Sequence, residues 1–154
     1  VLEPLKLSPA ANLRNIDFMA KTQDSIVWAS SRDLLAAIDS DSKNIIATIK
    51  LKSQKYDLGR VKGIAHTDSG GYLLGTSTGL WKVNFSEVNK VFALSELSSN
   101  GIQALTETSG KKYVVFNTGE IREITQVHPL KSETGILCTT LCGICIAKLR
   151  VLTS

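Results

Sequence analysis

The chain is predicted to be all-β, assembled from repeated units of short antiparallel strands. Three observations carry that expectation. One segment recurs in altered form at least three times, its apolar runs are strand-sized, and the runs are bounded by Gly, Ser, Asn or Asp. Leu51 recurs as Leu97 and Tyr72 as Tyr113, a period of about 40 to 46 residues. Helices would need longer runs with apolar residues three and four apart, and no stretch supplies them.

Glu3-Pro4-Leu5-Lys6-Leu7 opens the series as an outer strand over residues 2–7, because it resembles Ala47-Thr48-Ile49-Lys50-Leu51 and Ala93-Leu94-Ser95-Glu96-Leu97. The first full unit spans residues 12–51, with runs at 25–31, 34–39 and 44–51. Between the last two, Asp39-Ser40-Asp41-Ser42 reads as a hairpin turn. It lacks the Gly and distal Glu that a calcium loop needs. The second unit, residues 60–97, holds runs at 61–65, 72–76, 80–83 and 91–97. Thr76-Ser77-Thr78-Gly79 makes its tight turn, Gly being free to take a positive φ. The third unit, 100–131, repeats the pattern at 101–105, 112–118 and 119–124. Gly135-Ile136-Leu137-Cys138-Thr139 then resembles the opening of that unit, so residues 135–154 read as a partial unit with a second strand over 144–152. Trp28 and Trp81 fall in or next to inner strands and are expected in the core between units.

Gly71-Tyr72-Leu73-Leu74-Gly75-Thr76-Ser77-Thr78-Gly79-Leu80-Trp81-Lys82-Val83-Asn84 resembles a blade of the β-propeller superfamily, between the WD-repeat and two-component-regulator types. A small-residue strand, a Gly turn and an apolar strand ending in Asp or Asn carry the likeness, with Asp39 and Asn84 in the last place. The Gly-His pair and Trp-Asp dipeptide of WD repeats are absent. The resemblance implies about three complete four-stranded blades, 12–51, 60–97 and 100–131, with partial blades at both ends. Two arrangements fit: the outer strand at 2–7 completes the last blade in a small ring, or the chain is part of a larger propeller. A non-enzymatic protein–protein interaction scaffold is the function so implied, its partners being remaining blades, another copy or a complex subunit. The alternative is a ligand- or glycan-binding sensor propeller. Aromatics concentrated within strands, away from turns, argue against that alternative.

At 154 residues, 43% hydrophobic and 21% charged, the composition is that of a folded domain. No apolar run approaches the length of a membrane-spanning helix. The three cysteines crowd into one segment and do not form a spread disulfide framework, so an intracellular address, cytoplasmic or nuclear, is expected. The net charge of +4 is local. Lys50, Lys52, Lys55, Arg60 and Lys62 surround Asp57, which makes the connector between the first two units the candidate partner-contact patch. Tyr56 alone is interleaved with these cations, so there is no stacking platform for nucleic acid.

Cys138, Cys142 and Cys145 have the C-x3-C-x2-C spacing of iron–sulfur enzymes that cleave S-adenosylmethionine. They stand near the end of the sequence in a strand-like context, with neither histidine in the segment, so structural cysteines and no cofactor or metal are expected. No catalytic constellation emerges elsewhere. His66 is placed to bond locally with Asp68, and His128 precedes Pro129 in a connector.

Overall fold

The computed structural model describes residues 13–125 and, as backbone, 149–151. Twelve strands make up three four-stranded antiparallel sheets, and no helix occurs among the described residues. The first sheet runs β1 (Phe18–Lys21), β2 (Ile26–Ser30), β3 (Leu34–Asp39) and β4 (Ile45–Lys50) in chain order. The second is β5 (Val61–His66), β6 (Tyr72–Thr76), β7 (Gly79–Ser86) and β8 (Val91–Ser98). The third holds β9 (Ile102–Thr108), β10 (Lys111–Phe116), β11 (Ile121–Ile124) and β12 (Leu149–Val151). The apolar runs read from sequence between residues 25 and 124 thus fall on the strands.

Alternation along each strand explains how the sheets stack. Successive side chains point to opposite faces, so a strand buried on both faces needs an unbroken apolar run. β6 is such a strand, buried at every position. Tyr72 and Leu74 join Trp81, Val83 and Ile64 in a cluster with Trp28, Leu35, Ala37 and Ile49 of the first sheet. Leu73, Ala65 and Leu80 point the other way, into a cluster with Ile102, Leu105, Val114 and Phe116 of the third. The second sheet is therefore the middle layer. Trp28 and Trp81 both lie in the first of these clusters, in the inter-sheet core where their sequence context placed them.

Where the second and third sheets meet, side-chain volume has been removed. A Cβ on Gly63 of β5 would stand 2.4 Å from the Leu105 carbonyl oxygen and 2.7 Å from its Cβ. Two backbones approach that closely only where one residue lacks a side chain.

Leu149–Val151 takes a place not expected of it. It pairs antiparallel with β11, Glu123 opposite Arg150, and forms the fourth strand of the third sheet. For these three residues a strand of a separate partial unit is replaced by one that completes the preceding sheet. The third unit contributes only three strands before residue 125, so β11 had an unpaired edge to offer. The expected outer strand at 2–7, the rest of the partial unit at 135–154, His128 and all three cysteines lie outside the described residues.

Candidate functional site: a basic cleft and an inter-sheet hydrogen-bond network

Antiparallel order sends successive turns to opposite ends of the stack. Residues 31–33, 51–60, 77–78, 99–101 and 117–120 share one end; residues 22–25, 40–44, 67–71, 87–90 and 109–110 share the other.

The predicted contact patch lies at the first end. Its connector is an ordered excursion and not a slack loop. Leu51 and Leu58 are buried at its base, where the Leu58 amide donates to the Leu51 carbonyl at 2.7 Å. At its tip the Ser53 hydroxyl accepts from the amides of Lys55 and Tyr56 at 3.1 and 3.3 Å. The connector is then fastened to the turn between β6 and β7. Arg60 and Ser77 exchange two bonds, amide to hydroxyl and amide to carbonyl, each 2.9 Å, while the Thr78 hydroxyl donates to the Asp57 carbonyl at 2.9 Å. Gly59 serves this bend with a φ of 66°.

Between the connector and the turn at 31–33 opens a cleft of about 550 Å³, lined by Arg32, Asp33, Lys52, Asp57 and Arg60. The structure sorts the expected cations. Lys52 and Arg60 line the cleft; Lys55 stands exposed at the tip; Lys50 and Lys62 are exposed on β4 and β5. Tyr56 is half-buried, its ring 6.0 Å from that of Trp81. Two cations already have partners: Arg60 pairs with Asp17 at 2.8 Å and Lys52 with Asp57 at 3.9 Å. Arg32, Lys50, Lys55 and Lys62 form no ion pair among the described residues. Sequence reasoning missed Arg32, which stands alone in a short turn and joins the patch only through the fold.

At the opposite end a hydrogen-bond network ties the first sheet to the second. Trp28 Nε1 donates to Thr22 Oγ1 at 3.2 Å, and that hydroxyl donates to Asp24 at 2.5 Å. The Tyr72 hydroxyl of the second sheet donates to the other carboxylate oxygen of Asp24. His66 Nε2 lies 3.8 Å from the same oxygen, its ring edge-on to Tyr72 at 5.3 Å. His66 thus faces Asp24 across the sheets, where local pairing with Asp68 was expected. Burial, then the bond to Asp24 and its charge, push the Tyr72 hydroxyl far above its usual range. It is therefore a permanent donor here and not a base.

The turn after β3 behaves as its sequence predicts. Asp39 accepts from the amides of Asp41 and Ser42 at 2.8 and 3.2 Å, which holds its carboxyl below the usual range. Among the described residues no group of three or more His, Cys, Asp or Glu is placed to hold a metal ion, and no helix is long and apolar enough to cross a membrane. Compared with known proteins, the chain matches no protein-family model and no curated protein.

Proposed function

We propose that the three sheets are consecutive blades of a β-propeller and that the chain is a non-enzymatic scaffold whose basic end receives an acidic protein partner. Stacking order supports the blade reading. The first strands β1, β5 and β9 abut in series, and the outermost strands β4 and β8 meet likewise, as in sheets arranged around an axis. The remaining blades belong to the rest of a longer chain, another copy or a complex subunit.

One observation carries the docking reading: Arg32 in the cleft, and Lys50, Lys55 and Lys62 on or beside the connector, form no ion pair among the described residues, while the connector itself is already fastened. Arg32, Lys50, Lys55 and Lys62 keep their charge available, while the bonds between Arg60, Ser77, Asp57 and Thr78 hold the connector in one conformation. A partner meeting preordered loops loses less entropy on binding, and exposed cations steer an acidic surface toward them.

Amine-reactive cross-linking to co-purified partners tests it. Links should concentrate on Lys50, Lys52, Lys55 and Lys62 and be lost in an Arg32→Glu/Lys55→Glu variant. Links concentrated on Lys43, Lys90 and Lys111 at the opposite end would reject the basic cleft as the docking site.

A further inference from the structure

Two lysines are buried among the described residues, and both lie between the second and third sheets. Lys82 of β7 is 7% exposed and Lys112 of β10 is 9% exposed. Lys82 stands directly across from Leu73 on β6, and Lys112 directly across from Ile124 on β11. Residues opposite each other share a face of their sheet. Leu73 and Ile124 both belong to the cluster that joins these two sheets, so the lysines face the same interface.

The charges on the two facing surfaces do not balance. On the third sheet Glu107 pairs with Lys112 at 3.5 Å and Glu120 with Arg122 at 2.7 Å. The strands of the second sheet contain one acid, Glu96, which stands opposite Trp81 and so lies on the other face. Lys82 is left over. Its ammonium forms no ion pair or hydrogen bond among the described residues.

Three features make this cation a binding group. Its stem is already restricted, flanked by Leu73 across the strand and by Leu80 two residues back on the same face, both fully buried. An ordinary surface lysine would lose that rotamer freedom only when a ligand fixed it. The ammonium itself is not sealed off, for it keeps accessible surface while most of the side chain is covered. Finally, Ser95 of β8 is exposed directly across from Lys82 on the same face, and its hydroxyl has no partner among the described residues.

We infer that Lys82 and Ser95 hold a small oxyanion at the outer mouth of the groove between the second and third sheets. The ammonium donates a charge-assisted hydrogen bond to one oxygen and the hydroxyl a neutral one to another. Sulfate, phosphate and carboxylate all present that chemistry; chloride has no second oxygen to share between the donors. The site is separate from the basic cleft and does not depend on docking there.

Sulfate, phosphate and acetate titrated into the isotope-labelled 154-residue chain, at constant ionic strength balanced by chloride, decide the matter. The amides of residues 73, 81–83 and 94–96 should shift saturably, and the tightest binder names the source of the oxyanion. Lys82→Met keeps an unbranched apolar stem without the charge and should weaken binding roughly tenfold or more. Ser95→Ala should weaken it about threefold to tenfold. If Lys82→Met does not fold, the exposed Ser95→Ala decides alone. No saturable shift up to tens of millimolar overturns the inference. Shifts confined to residues 31–33 and 51–60, which place the anion in the basic cleft, overturn it too, as does binding unchanged in either variant.

Discussion

Tyr72 links chain segments that sequence reading keeps apart. Its hydroxyl meets Asp24 across a separation of 48 residues, its ring is edge-on to Trp28 at 4.8 Å, and its neighbours in the cluster come from both sheets. Tyr72→Phe keeps the ring and removes one donor from Asp24. Stability should fall by about 1 to 3 kcal/mol, measured by urea unfolding at neutral pH, with little change in m value. A variant as stable as the parent would mean that Asp24 is satisfied without Tyr72. The raised Tyr72 pKa adds a pH dependence of definite sign. Tyr72 is protonated in both folded and unfolded chains below about pH 10, so its contribution is full there. Above that, the unfolded chain ionises first and stability declines. Absorbance titration should therefore show Tyr72 ionising well above the ordinary tyrosine range, and only as the protein unfolds. None of this was legible locally. Asp24 sits in an ordinary polar turn, and the nearest carboxylate in sequence to His66 is Asp68. Only the stacking of sheets chooses Asp24.

Strand positions, by contrast, were legible almost throughout, because alternation and turn residues are local signals. β6, β7 and β8 coincide with the runs read at 72–76, 80–83 and 91–97, bounded by Gly79 and Lys90. A strand over 144–152 was legible but its partner was not, since Leu149–Val151 joins β11 across a long intervening segment. Glycines distinguish two kinds of local demand. Gly110 has a φ of 77° with open space around its missing Cβ, so Gly110→Ala costs only backbone strain, about 1 kcal/mol. Gly63 has no positive φ but faces the Leu105 backbone, which cannot swing aside as a side chain would. Gly63→Ala must push β5 from β9 and should cost several times more, about 3 kcal/mol or above. Thermal unfolding of the two variants side by side checks this. Equal losses would show that the sheets separate easily at that point.

Three sheets in series, with the two larger apolar clusters among the described residues each joining one neighbouring pair, make stability a matter of interfaces. The described core divides accordingly: one cluster joins the first and second sheets, another the second and third, and adjacent residues of β6 serve opposite sides. Leu73 and Leu74 are both fully buried, so truncating either leaves a comparable cavity and costs about 2 to 5 kcal/mol. What differs is where the loss is felt. Leu73 packs among Leu80, Ile102, Leu105 and Val114, so Leu73→Ala loosens the third sheet from the middle one. Leu74 packs with Trp28, Leu35 and Trp81, so Leu74→Ala loosens the first. In a stack with nearest-neighbour coupling, each change should lower local opening energies on one side more than on the other. Native-state hydrogen exchange separates these cases. Leu73→Ala should reduce protection in β10 more than in β2, and Leu74→Ala the reverse. If both variants lowered β2 and β10 equally, the three sheets would open as one cooperative body, and the layered account of this fold would be wrong.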